Sequence, residues 1–183
     1  MKVLETPLPG VLLIEPDVYV DGRGRFREGW RESRYAAHGI VGPFTQDNVS
    51  VSRKSVLRGL HIQAPAGQAK LVFAINGTIF DVAVDVRRGS PQYGQWVGET
   101  LSAENHRQLW VPEGFLHGFC VLSEEATVFY KCTRSYIAEQ QCSVRWDDPD
   151  IGIRWPVKNP ILSEKDMTAP RLRDTAFAGT PAE

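Results

Sequence analysis

Four side chains in this sequence are suited to moving a proton and holding the charge that the move creates. Three of them fall within VLRGLHIQAPAGQAK, residues 56 to 70, where Arg58, His61 and Lys70 stand with Gln63 on an apolar, strand-like background. A neutral imidazole has an unperturbed pKa of about 6.5, so His61 can accept a proton at physiological pH. Lys70 and Arg58 could hold the negative charge that appears on oxygen when a carbon acid becomes an enolate. Tyr130, with an unperturbed pKa of about 10, stays protonated and could return a proton from another direction. The competing reading of His61 is a core imidazole with satisfied hydrogen bonds, and the charged company around it is what favours a site. One geometric condition follows: Arg58 and His61 have opposite strand parity, so they share a cavity only through a bulge at Gly59 or a strong twist.

Such a cluster needs a rigid frame, and the chain around it is written in short strands. Residues 11–20 read as an opening strand broken at Pro16, DGRGRFREGW as a solvated turn, and residues 31–38 as a short helix ended by Gly39. In FTQDNVSVS, Gln46, Asn48, Ser50 and Ser52 share one parity and Val49 and Val51 the other. That pattern fits either an exposed face or the wall of a polar cavity. Asn76-Gly77 separates two β-rich runs and predicts a hairpin. On the second run, Phe80, Val82, Val84 and Val86 form the expected core face, with Asp81 and Asp85 opposite. Pro112 and Gly114 then force a sharp turn between two apolar strands, and residues 126–136 give one more. Evenly spaced strands with almost no helix predict an all-β fold, either an antiparallel barrel or an antiparallel jelly roll of the cupin-like kind, with short helices near the termini. The segment after Cys142 reads as a tail packed by Trp146, Ile151, Ile153 and Trp155. Ser163 is placed to cap a short helix, and residues from about 167 to 183 are expected to fray.

The chain of 183 residues, read as one domain over 1–183, has 42% hydrophobic and 23% charged residues, as a globular protein does. A net charge of −1 without a dense basic block argues against nucleic acid as a partner. No run of about 18 apolar residues is present, and no secretory leader is recognisable; no membrane partner and a cytoplasmic location are expected. Cys120, Cys132 and Cys142 form no paired framework and read as idle thiols of a reducing compartment. A cupin metal centre wants an H-x-H pair, a downstream Glu and a further His from a P-x-G-x-x-H turn. The turn is present as Pro112, Gly114 and His117, but the pair reads His61-Ile62-Gln63 and no Glu follows in the next seven residues. Two imidazoles fall short of the usual three or four protein ligands, so no metal is expected.

QDNVSVSRKSVLRGLHIQ, GQAKLV, FDVAVDVRRGSP, LWVPEGFLHGF, YKCT and LSEKD, in that order, closely resemble the dTDP-4-dehydrorhamnose 3,5-epimerase family of deoxysugar biosynthesis. The resemblance runs from about Gly10 to Asp166, and DGRGRFREGW fits that family's early turn. It implies a homodimeric jelly-roll enzyme without a cofactor, acting on a dTDP-linked 4-keto-6-deoxyhexose. The C4 ketone acidifies the hydrogens on C3 and C5, and their removal and return on opposite faces gives dTDP-4-dehydro-L-rhamnose. By this resemblance His61 is the base, Asp166 its orienting partner, Tyr130 the acid and Lys70 the enolate-stabilising cation. Arg23, Phe26, Glu28, Gln46, Asn48, Arg58, His117, Tyr136 and Lys165 are expected around the nucleotide, diphosphate or sugar. A dimer contact could bring the early turn into the neighbouring subunit's site. Two positions depart from the family pattern: Ser55 stands where Gly is usual, and Ile62 where an aromatic is common. A mono-epimerase acting at C3 or C5 alone, a metal-dependent cupin oxygenase and a catalytically silent binding module are the alternatives.

Overall fold

Short β-rich runs separated by turns build two antiparallel sheets, described over residues 1–175 of the computed structural model. In chain order the strands are β1 (Lys2–Glu5), β2 (Leu12–Glu15), β3 (Val18–Asp21), β4 (Gly24–Arg27), β5 (Gln46–Arg53), β6 (Leu57–Gln63), β7 (Lys70–Asn76), β8 (Thr78–Asp85), β9 (Trp96–Ser102), β10 (Gln108–Val111), β11 (Phe115–Val121), β12 (Glu125–Cys132) and β13 (Gln141–Ser143). One sheet runs β1-β2-β10-β7-β12-β5 and the other β13-β6-β11-β8-β9, while β3 and β4 form a separate two-stranded arm. Two short helices lie near the ends of the chain, α1 (Glu32–Ala36) and α2 (Glu164–Met167). No helix among the described residues is long and apolar enough to cross a membrane.

The space between the sheets changes character along its length because each inward-facing row does so. On β7 the row runs from Val72 to Lys70, on β12 from Val128 to Tyr130, and on β11 from Phe119 to His117. At the apolar end, Val72, Val128 and Phe119 join Leu13, Ile79, Leu101, Leu109 and Val121 in one buried cluster. At the other end the same strands hold Lys70, Tyr130 and His117 around an open cavity. A packed half thus fixes the backbone that aims the polar half.

Several expectations are corrected by this topology. Asn76 and Gly77 do form a tight corner, with Gly77 at φ +73°, but β7 and β8 are not a hairpin. Both edges of β7 are already taken by β10 and β12, and β8 pairs with β9 and β11 in the other sheet. Glycine is required at the corner because a Cβ would lie 2.1 Å from the Glu125 carbonyl oxygen. The aspartate face of β8 is also buried: Asp81 and Asp85 are both fully inaccessible. Asp85 is held by Arg87 and Ser90, and Asp81 by His117. The apolar face of β8 is covered from outside by the tail, where Val82 and Val84 cluster with Ile151 and Leu172, and Ile153 and Trp155 pack against them. DGRGRFREGW is an arm rather than a simple turn, since Gly24–Arg27 pairs with Val18–Asp21. The tail does not fray at residue 167. The Pro170 carbonyl accepts from the Arg145 N–H, the Leu172 N–H donates to Asp148 at 2.6 Å, and Leu172 is buried; residues 176–183 of the expected frayed stretch lie outside those described.

Candidate active site

Gly59 meets the condition that strand parity sets. His117 opposes His61 and Phe119 opposes Arg58, so Gly59 and Leu60 together face Gly118, a two-against-one bulge. Gly59 has φ +119°, and a Cβ there would stand 2.6 Å from Gly118 Cα and 2.8 Å from the His117 carbonyl oxygen. Only glycine fits. The extra residue turns Arg58 and His61 toward one cavity, which they line with Lys70, His117, Tyr130 and Asp166.

His61 Nε2 lies 2.6 Å from Asp166 Oδ1. The carboxylate comes from α2, whose N-cap is Ser163: the serine Oγ accepts the Asp166 N–H at 3.2 Å. That helix is tied down by its approach, because Leu57 N–H donates to the Ile161 carbonyl at 3.0 Å and Ile161 N–H to the Ser55 carbonyl at 2.8 Å. Burial pushes the Asp166 carboxyl up, but hydrogen bonds from His61, Ser163 and the Gly59 N–H outweigh it and hold the group below its ordinary value. The aspartate is therefore ionised where His61 works, and its partner imidazole is 28% exposed, open to substrate and solvent.

The facing sheet supplies the other chemistry. Tyr130 stands opposite Asn48 on β5 and Val72 on β7. Burial raises its phenol above the ordinary tyrosine value, with Cys132 adding to the rise and Arg58 opposing it; the group stays a proton donor. Lys70 is buried, and burial pulls its ammonium below the usual lysine value, with Cys132 and Asp81 opposing the fall. Among the described residues no hydrogen bond or ion pair is made by its Nζ. The cavity holds about 400 Å³. A second recess of about 290 Å³ shares His61, Lys70 and Tyr130 with it and is walled by Gln46, Asn48, Tyr136 and Gln141. The polar face of β5 is thus a cavity wall, while Val49 and Val51 on its other face are exposed. A base on one sheet, with a phenol and an ammonium on neighbouring strands of the other, can take a proton from one side of a bound carbon acid and return one from the other. Among the described residues no three His, Cys, Asp or Glu side chains gather as metal ligands would.

Comparison with known proteins matches residues 5–174 to the family model described as dTDP-4-dehydrorhamnose 3,5-epimerase. The chain belongs to that family. It is 50% identical over 179 residues to the dTDP-4-dehydrorhamnose 3,5-epimerase of Shigella flexneri, covering 97% of this chain and 99% of the relative. A Legionella pneumophila dTDP-6-deoxy-D-glucose-3,5-epimerase, solved in complex with dTDP-4-keto-L-rhamnose, superposes with a TM-score of 0.94 at 46% identity, covering 100% of this chain and 98% of that one. A 3'-monoepimerase from Streptomyces bikiniensis, solved with dTDP-quinovose, has a TM-score of 0.85 at 38% identity, covering 91% and 87%.

Within this epimerase fold, the expected residues divide into two groups. His61, Lys70, Tyr130, Asp166, Arg58, His117 and Lys165 line the larger cavity, and Gln46, Asn48 and Tyr136 the adjoining recess. Arg23, Phe26 and Glu28 line neither. Arg23 pairs with Asp21 at the tip of the β3–β4 arm, Phe26 is 70% exposed, and Glu28 pairs with Arg31 and Arg34. The arm carries the first two away from the cavity. Three contributors went unread in the sequence. Gln141 reaches the recess because β13 pairs with β6, a long-range pairing with no local signal. Ser163 was legible as a cap, but not as a support for Asp166. Asp81, bonded to His117, shares parity with the buried Ile79 and Ala83, and that parity was the available signal.

Proposed function

We propose that His61 and Tyr130 carry out the 3,5-epimerisation of dTDP-4-dehydro-6-deoxy-D-glucose, giving dTDP-4-dehydro-L-rhamnose. The observation that carries this reading is their placement on opposing sheets around one cavity, with the Lys70 ammonium in its wall. His61 takes the proton α to the C4 ketone; the C–H electrons move onto the C4 oxygen, and the enolate is neutralised by Lys70. Tyr130 then donates to the opposite face, forming the new C–H bond as the ketone returns. Asp166 orients the imidazole and stabilises its protonated form. Each inversion leaves a proton on His61 and a vacancy on Tyr130, so solvent resets the pair before the second carbon reacts. Gln46, Asn48, Arg58, His117, Tyr136 and Lys165 hold the nucleotide, diphosphate and sugar.

The enzyme works as a homodimer in this reading, one domain per chain. Val49, Val51 and Ile75 on the sheet and Tyr19, Val20 and Phe26 on the arm are all more than half exposed, and β5 is a free sheet edge. Apolar residues displayed beside an unpaired edge favour a covering partner, and a second copy would place Arg23, Phe26 and Glu28 at its neighbour's cavity. Three free cysteines suit a cytoplasmic location.

Reaction in deuterium oxide tests the chemistry. Label at both C3 and C5 of an L-configured product is expected; an unlabelled product with inverted centres would remove proton exchange from the mechanism. A second reading is inversion at a single carbon, favoured by the likeness to the Streptomyces bikiniensis 3'-monoepimerase. Label at one carbon would select it.

A further inference from the structure

Asp81 is the least accessible carboxylate at the polar end of the barrel, and half of it is unused. Its residue exposure is zero. Oδ1 lies 2.8 Å from His117 Nε2, while Oδ2 is buried without a hydrogen-bond partner. A carboxylate left in this state is expensive to bury, and an aliphatic side chain at this position would extend the cluster that Ile79 and Ala83 form on the same face. His117, which Asp81 holds, lines the same cavity as Lys70, and Lys70 is buried, its Nζ making no hydrogen bond or ion pair among the described residues. Each is an incomplete ion on its own, and together they are charge-balanced.

We infer that Asp81 is a positioning residue for the reaction, fixing His117 through one carboxylate oxygen and supplying through its charge the counter-ion that keeps Lys70 an ammonium inside the barrel. The inference rests on the reading of Lys70 as the enolate's cation. The ionisable groups that share the cavity wall with Lys70 include Lys165 and Asp166 of α2, Cys132 stands opposite Lys70 in the sheet, and β10 sets only Val111 against it. Cys132 and Tyr130 lie on β12, His61 and Arg58 on β6, and His117 on β11. Of these, the thiol and the phenol are both held neutral by burial, and Asp166 is committed to His61. Asp81 on β8 is thus the carboxylate with charge to spare. No direct ion pair joins Asp81 to Lys70 among the described residues, which suits the role: a lysine locked to a carboxylate could not meet an enolate.

The Asp81→Asn variant tests this because it keeps the shape and an acceptor for His117 but removes the charge. Expected are a fall in kcat of about 10- to 100-fold with KM changed less than about threefold, and an alkaline limb of the kcat–pH profile moved down by about one pH unit, the usual scale for losing a nearby opposite charge. The sign follows from Lys70 losing its proton more easily. The melting temperature should change little, since losing a half-satisfied buried carboxylate is offset by leaving Lys70 without its counter-ion. Wild-type kcat with an unmoved limb would overturn the inference, as would a loss of activity that only tracks a fall in melting temperature. Lys70→Met supplies a second readout independent of Asp81→Asn folding alone. It should lower the melting temperature by stranding Asp81, and the Lys70→Met/Asp81→Asn double variant should recover part of that fall; strict additivity would count against coupling. Full turnover in Lys70→Met would instead defeat the assignment of Lys70 itself, while an inactive Lys70→Met beside a wild-type-like Asp81→Asn would defeat only the counter-ion.

Discussion

The barrel contains two His–Asp pairs on directly opposed strands, and they differ in every respect that matters to chemistry. In the first, His61 is 28% exposed and its Asp166 arrives on a short helix from the end of the chain, with hydrogen bonds from Ser163 and the Gly59 N–H completing the carboxylate. In the second, His117 is 8% exposed and its Asp81 projects from β8, an interior strand, with one oxygen unsatisfied among the described residues. The first imidazole is free to turn over protons, whereas the second is held in place. The same two residue types become a base or a fixed contact according to solvent access and to where the carboxylate is anchored.

The sharpest way to break this contrast is to remove the imidazoles in turn. His61→Ala is expected to cut turnover by about 10²- to 10⁴-fold, the scale of a lost general base, and Tyr130→Phe should fall in the same range. His117→Ala should raise KM more than it lowers kcat. Steady-state kinetics on the three variants decide the matter; a His117→Ala variant as impaired in kcat as His61→Ala would erase the distinction. Asp166→Asn should come next in size, at about 10- to 100-fold in kcat, because a hydrogen bond to a charged group contributes about 1.5–3 kcal/mol.

Gly59 lies where the two pairs meet, and its substitution should damage both. Gly59→Ala would place a methyl 2.6 Å from Gly118 Cα and remove the backbone freedom that φ +119° demands. A loss of about 2–5 kcal/mol in urea unfolding is expected from strain plus overpacking. A variant that unfolded at the wild-type midpoint would show that the bulge tolerates a side chain.

How much of this was readable beforehand follows the range of the interactions. The condition on Gly59 came from parity, and strand alternation is local, so it held. The polar ladder Gln46–Asn48–Ser50–Ser52 was legible as a face but not as an inward one, because an exposed face and a cavity wall share the same alternation. Asn76-Gly77 marks a real corner, yet strand partners are chosen by which edges other strands occupy, and β10 and β12 occupy those of β7. Residues of the β3–β4 arm resemble binding residues by motif, but a motif carries no information on where an arm folds, and Arg23 and Phe26 line neither the cavity nor the recess. Ile62 looked like a change beside the base; its side chain is largely buried in the outer cluster with Leu60 and Val144, although it also borders the recess.

Ser55 is the subtlest of these positions and gives the smallest expected effect. A serine stands here where the family usually has glycine, and the structure supplies the reason for glycine: the φ is +66°, in the left-handed region. The backbone there is committed at both ends, with the Ser55 N–H donating to the Val121 carbonyl and its carbonyl accepting from Ile161 N–H. That second bond helps anchor the segment leading to Asp166, so strain at Ser55 bears on the first pair and leaves the second alone. Ser55→Gly would relieve about 1–2 kcal/mol of left-handed strain while giving back about 0.5–1 kcal/mol through the freer unfolded chain. The net expectation is a gain of about 0.5 kcal/mol in urea unfolding with kcat unchanged. Ser55→Val should move the other way and further, since a β-branched side chain tolerates positive φ least. It should also lower kcat, through the loosened Ile161 anchor, without altering the KM effect of His117→Ala. Equal stability of the Gly and Val variants would mean that the left-handed backbone at Ser55 has no bearing on how the tail delivers its carboxylate.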